Sequence, residues 1–250
     1  MQRYFLSNQH FNDDYVMMDG DEARHISRVM RMRAGDQVIC CNGEGVCFVC
    51  SLEEVSPERV RASLVKRIEY SAELPVHVSL AHGLPKGDKL ELVIQKGTEL
   101  GAGGIIPFEA ERSVVKWDKK KEKKKLERWN KIAKEASEQS HRSLVPRVES
   151  VHSFKELLNR FTSYSYVIIA YEEDAKTDEK SQFRQTLELV KPGDRLLLVT
   201  GPEGGFSDRE VQVMKEAGAI SCAFGPRILR SETAPFYGLS AISYHLELSG

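Results

Sequence analysis

No apolar run in this chain approaches the length of a membrane span, and its N-terminus shows no basic segment followed by an apolar one. A bilayer-spanning helix needs about twenty apolar residues, and a secretion signal needs a charged opening before its apolar stretch. A cytoplasmic location with no membrane partner is the expectation. Cysteine is scarce and odd in number, at five, which in the absence of a secretion signal argues against a disulfide framework. Cys47-x-x-Cys50, preceded by Cys40 and Cys41, has the outline of a metal site, but Asn42-Gly43 reads as a hairpin turn between the two pairs. Adjacent Cys40 and Cys41 then point to opposite faces of a sheet, which four-sulfur coordination does not favour. No metal is expected, and these cysteines read as small buried apolar side chains. The chain also lacks both G-x-G-x-x-G and G-x-x-x-x-G-K-[ST], so the two commonest nucleotide loops are absent. It has no internal repeat and no long low-complexity linker, and almost no net charge (−1).

What is present describes an ordinary globular protein of 250 residues, 41% apolar and 29% charged. Its charge is unevenly spread. Residues 86–147 hold sixteen Lys and Arg against ten acids, whereas residues 1–72 hold nine against eleven. Between 116 and 134, ten of nineteen residues are basic, while Leu126, Trp129, Ile132 and Ala136 recur at helical spacing. Such a helix can anchor by one face and lie along phosphates by the other, or it can simply be solvated. Arg24, Arg28, Arg31 and Arg33 form a second basic patch near the N-terminus. His25 beside them reads as a helix-packing or RNA-contact residue.

The organisation divides near residue 72. Before it, strand-like runs at 3–6, 15–18, 37–42, 46–55 and 59–68, with one helical stretch at 21–30, read as a small β-rich barrel. After it, strands at 76–81, 105–107, 167–170, 196–200 and 221–224 alternate with helices at 89–100, 119–140, 181–189, 207–217 and 235–248. That alternation predicts an α/β domain with a mainly parallel sheet, and pattern alone suggests an unknotted, doubly wound one.

Two turns near the C-terminus carry the chemistry. Thr200-Gly201-Pro202-Glu203-Gly204-Gly205-Phe206 follows the apolar run 196–199, and Ser207 with Glu210 makes a capping box that starts the next helix. Its glycines let backbone approach a ligand. Glu203 argues against phosphate and suits ribose hydroxyls, an amine or a titrating proton. The second turn, Gly225 to Ala234, crowds Arg230, Glu232 and Thr233 at the entry to the last helix. Both lie at carboxyl ends of strands, where open α/β sheets bind ligands. A purely structural βα turn at the first, and a surface Arg230–Glu232 pair capping a helix at the second, are the competing readings.

Together GPEGGFS (201–207) and ILRSETA (228–234) resemble the RsmE family, bacterial small-subunit ribosomal RNA uridine-N3 methyltransferases of the SPOUT class. Lys86-Gly87-Asp88-Lys89, residues 95–101, Pro107, Arg112-Ser113, residues 135–140 with Arg142 and Pro146, Arg3-Tyr4-Phe5, and His25 through Asp36 extend the likeness over nearly the whole chain. The resemblance implies a SPOUT-type trefoil-knotted α/β methyltransferase domain at 73–250, preceded by a small PUA-like β-barrel at 1–72 that binds RNA. It implies S-adenosylmethionine as cofactor, 16S rRNA in the 30S subunit as partner and a homodimer. Thr200, Gly201, Gly204, Gly205, Gly225, Ile228, Leu229 and Ala234 become cofactor-binding candidates. Lys86, Lys96, Arg112 and Arg142 join Arg24, Arg28 and Arg31 as RNA contacts. Arg230 is expected to stabilise the uridinate oxygen, and Glu232 or Glu203 to accept the N3 proton if burial raises its pKa toward neutrality. Ribose 2′-O-methylation by the same class is the nearest alternative, although Ser231-Glu232-Thr233 stands where those enzymes carry a serine-leucine-asparagine turn. A non-enzymatic RNA-binding assembly factor is the alternative from another class.

Overall fold

A computed structural model describes residues 1–115, 117, 119–172 and 182–249. Lys116 of the basic stretch and Ser181, the expected start of a helix, lie outside the described residues. The chain forms two compact units, Met1–Glu73 with Ser137–Val145, and Leu74–Ala136 with Pro146–Gly250. Among the described residues, no helix is long and apolar enough to cross a membrane.

In the first unit, β1 (Arg3–Phe5), β2 (Tyr15–Asp19), β3 (Gln37–Cys41), β4 (Cys47–Val55) and β5 (Arg59–Arg67) form one sheet in the order β1-β3-β4-β5-β2. β1 runs parallel to β3, and the other pairs are antiparallel. Register shifts at Val49/Cys50 and Leu52/Glu54 put bulges into β4, and bulges bend and twist a strand. The sheet curls around Tyr4, Val16, Met18, Ile26, Leu52 and Val60. The helix expected over 21–30 is α1 (Gly20–Arg24) followed by one π-helical turn, His25–Val29. His25 packs edge-on against Tyr4, its Nδ1 2.9 Å from the phenol oxygen.

The cysteines correct one expectation. Cys41 and Cys47 face each other in the β3–β4 register and form a disulfide. The hairpin that seemed only to separate the two pairs brings these two side chains together. Cys40 and Cys50 point to the other face, free and buried in the barrel core, so the alternation inferred for adjacent Cys40 and Cys41 is present.

Ser137–Val145 belongs to this unit through a buried ion pair. The Glu73 carboxylate accepts from the Arg142 guanidinium, and from the backbone N–H groups of Ser143 at 2.9 Å and Leu144 at 3.1 Å. Desolvation works to raise the Glu73 pKa, but these donors outweigh it and hold the carboxyl below its usual range. Arg142, expected to touch RNA, is only 2% exposed. Its charge is desolvated and committed to Glu73, so it is not presented to a phosphate.

The second unit carries a parallel sheet. β6 (His77–Gly83), β7 (Gly104–Glu109), β8 (Arg147–Val148), β10 (Tyr166–Ala170), β11 (Arg195–Thr200) and β12 (Ile220–Cys222) lie in the order β12-β10-β11-β6-β7-β8, and β9 (His152–Ser153) pairs with β7. Helices α2 (Lys89–Glu99), α3 (Glu122–Gln139), α4 (Phe154–Leu158), α5 (Gln182–Leu189), α6 (Asp208–Glu216) and α7 (Thr233–Ser243) connect or flank the strands. β11 shows why its run is apolar throughout. Leu196 and Leu198 face one core, with Val78, Val93, Leu239 and Ile242, while Leu197 and Val199 face another, with Ile106, Phe108, Val211 and Met214. All four are fully buried, each contributing about 2 kcal/mol. Ser207 and Glu210 complete their capping box, and Phe206 and Val211 share one core. On α3, Trp129, Ala133 and Ala136 are buried. Trp117 stacks on Trp129, with Lys125 Nζ 4.9 Å above the Trp117 ring.

Candidate active site

The parallel strands end in a cavity of about 900 Å³. One wall is the loop after β11, Gly201 to Phe206, and the other is the loop after β12, Phe224 to Ser231. Gly204 meets Arg112 so closely that a Cβ there would lie 2.9 Å from the Arg112 Cβ, and Arg112 donates to the Gly204 carbonyl at 3.1 Å. The glycine is needed for this loop-to-loop approach. Gly225 has φ +90°, a conformation that side-chain-bearing residues rarely adopt, and it turns the second loop back toward the first. Phe224 is fixed beneath by Phe183 at 4.7 Å and Tyr237 at 5.8 Å between ring centroids.

Of the expected cofactor residues, Gly201, Gly204, Gly205, Gly225, Ile228, Leu229 and Ala234 all line this cavity. Thr200 is fully buried just before it. Glu203 and Arg230 also line it, and Glu232 reaches its edge through Lys89, whose ammonium lies 3.1 Å from both Glu203 Oε1 and Glu232 Oε2. The condition set for a carboxylate base is not met in this arrangement. Desolvation works to raise Glu203, yet its own backbone N–H, that of Lys86 and the Lys89 ammonium hold it below the usual range. Glu232 is lowered chiefly by its own backbone N–H, against desolvation and with help from Lys89 and Ser231. Lys89 is raised in turn by Glu232 and Glu203.

The remaining RNA candidates scatter. Lys86 uses its backbone N–H on Glu203 at 3.1 Å, and Lys96 pairs with Glu99 at 2.8 Å. In the first unit, Arg24 and Arg28 border a cleft of about 580 Å³ with Gly20 and Pro57, and Arg31 is exposed with φ 53°.

Sequence reasoning missed three participants. Lys89 stood within the quoted Lys86–Lys89 cluster, but nothing local showed that it bridges two carboxylates more than a hundred residues away. Tyr171, donating to Asp208 at 2.9 Å, follows a strand with no motif of its own. His82 is fully buried at the end of β6, Nδ1 2.7 Å from Thr200 Oγ1, and its Nε2 meets no hydrogen-bond partner among the described residues. Burial pushes its pKa down to about 4, against the pull of Glu203 and Glu232.

The family model described as RNA methyltransferase domain matches residues 72–243, and that of the RNA methyltransferase PUA domain matches residues 18–65. A curated relative from Bacillus subtilis (strain 168), Ribosomal RNA small subunit methyltransferase E, is 51% identical over 99% of this chain and 98% of its own. The chain belongs to the ribosomal RNA small subunit methyltransferase E family. A Mycobacterium tuberculosis member is 31% identical over 91% of this chain and 85% of its own. A solved methyltransferase E from Neisseria gonorrhoeae, bound to S-adenosyl methionine, superposes with a TM-score of 0.84 at 28% identity, covering 97% of each chain. A Legionella pneumophila structure in complex with the bound cofactor SAM gives 0.83 at 29% identity, covering 96% of each. The fold is that of this family of RNA methyltransferases, an α/β methyltransferase domain preceded by a PUA-like one.

Proposed function

We propose that this protein transfers the methyl group of S-adenosylmethionine to N3 of one uridine in the decoding region of 16S rRNA, within the assembled 30S subunit in the cytoplasm. The observation that carries the reading is the cavity at the carboxyl ends of the parallel strands, walled by the two expected loops and within the size range of small-molecule sites. Its residues suit the cofactor. Phe224, Leu229 and Ala234 offer apolar faces to an adenine, while Glu203, Glu172 and Asp208 place carboxylates around a cationic sulfonium. When bound, S-adenosylmethionine supplies an electrophilic methyl group.

The chain's own residues then orient the base and handle its proton. Arg230, exposed at the cavity edge, is positioned for the uridine oxygen where negative charge gathers. Glu232 or Glu203 takes the N3 proton. Residues 1–72 serve as the RNA-binding PUA-like domain, with Arg24, Arg28 and Arg31 toward phosphates, and residues 73–250 as the methyltransferase, with Lys86, Lys96 and Arg112 toward RNA. A paired target base must be splayed out to reach the cavity. The α/β domain is expected to carry the trefoil-knotted threading of the SPOUT class, which a crystallographic trace would follow directly. A stripe along the last helix, Tyr237 40%, Tyr244 63% and Leu248 72% exposed, supports a homodimer.

Mass mapping of 16S rRNA from a deletion strain tests the reading. One N3-methyluridine should vanish and return when the gene is restored. An unchanged modification map would contradict it.

A further inference from the structure

Lys89 is the first residue of α2, at a helix end whose dipole favours anions. Its ammonium is occupied there by two carboxylates of the same chain, Glu203 from the first loop and Glu232 from the second, each at 3.1 Å. The side chain is 36% exposed and lines the cavity, so an incoming RNA strand can reach it.

Building on the function proposed above, we propose that Lys89 is a charge latch: it bridges Glu203 and Glu232 in the RNA-free protein and passes to a backbone phosphate when the target strand docks, releasing a carboxylate to take the uridine N3 proton. Two carboxylate oxygens that share one ammonium lie within about 6 Å of each other, close enough that each disfavours ionisation of the other once the cation leaves. One of them then gains basicity at the moment a base is required. The N3–H bond breaks, its electron pair stays on nitrogen, and the proton passes to a carboxylate oxygen. The negative charge thus moves from the carboxylate to the uridinate that Arg230 faces. The other groups around the bridge do not supply this change. His82 is buried and neutral at working pH, Arg112 is engaged with the Gly204 carbonyl, Asp208 accepts from Tyr171, and Lys86 contributes its backbone N–H. Ser231 donates to Glu232 at 3.1 Å and remains on it after release.

Two readouts on Lys89→Met and Lys89→Arg test the latch, the first without cofactor. Binding to small subunits from a deletion strain is titrated with monovalent salt at fixed magnesium. The slope of log K against log salt should be shallower by about 0.7–0.9 in Lys89→Met and preserved in Lys89→Arg. Second, the acid limb of kcat/KM, which reports the free enzyme, should shift to higher pH in Lys89→Met, while that of kcat, which reports the complex, should stay at the wild-type position. An unchanged salt slope in Lys89→Met, or two acid limbs that move together, would overturn the latch. If the wild-type protein bound subunits with the expected slope yet methylated no uridine, the proposed function would fail and the phosphate contact would stand.

Discussion

Arg230 and Glu232 are two residues apart, yet Arg230 is exposed at the cavity edge and Glu232 is held by Lys89. Replacing Arg230 with Ala should lower kcat by about 10²–10³-fold, the usual cost of losing one donor to a developing oxyanion. Cofactor affinity measured by calorimetry should change little, and equal turnover in the variant would remove Arg230 from the mechanism. His82 gives a stability prediction. Between its ordinary value of 6.5 and about 4, the unfolded chain binds a proton that the buried imidazole refuses. Stability should therefore rise with pH across this window and be lost as pH falls, by about 3 kcal/mol at the acid end. Urea titrations from pH 4 to 7 should show a flatter dependence in His82→Gln than in wild type, and parallel curves would refute the assignment. At this scale it was legible that the loop glycines and Arg230 would line one cavity, because glycine lets backbone approach closely in any context. The depressed pKa values of Glu203 and Glu232 were not legible, because they depend on each side chain folding back onto its own backbone N–H, and then on Lys86 and Lys89 arriving from elsewhere in the chain.

Elements were legible where periodicity and caps agree. α6 begins at its capping box, and β11 shows in its run of four apolar residues because both its faces are covered. β8 and β9 are two residues each, too short for any period to register. α4 was readable and passed over, since Ser153 and Glu156 form the same capping box as α6. α7 begins at Thr233, two residues before Pro235, and gives way to a π-helical turn at Tyr244–Leu248. That change keeps Tyr237, Tyr244 and Leu248 near one exposed face, at a spacing of seven and four residues. If this stripe is the homodimer surface, a Tyr244→Glu, Leu248→Glu double variant should sediment as a monomer while wild type sediments as a dimer. A monomeric wild-type protein would exclude the dimer.

For the whole molecule, the first compact unit gives way to the second at Glu73–Leu74, close to where the hydrophobic period of the sequence changes. The membership of Ser137–Val145 in the first unit was not legible. Arg142, expected to touch RNA, pairs instead with Glu73, 69 residues earlier, and no local pattern records such a pairing. Strand order is hidden for the same reason, since which strand fills the slot between β10 and β6 is decided by packing on both faces. The same long-range closure builds the site, two loops from different strands converging on one cavity. A crystal of this protein grown with S-adenosylmethionine tests that convergence most directly. The nucleoside should lie between Gly201–Gly205 and Gly225–Leu229 with its sulfonium toward the carboxylates of Glu203, Glu172 and Asp208, and an empty crevice or a nucleoside bound elsewhere would contradict the reading.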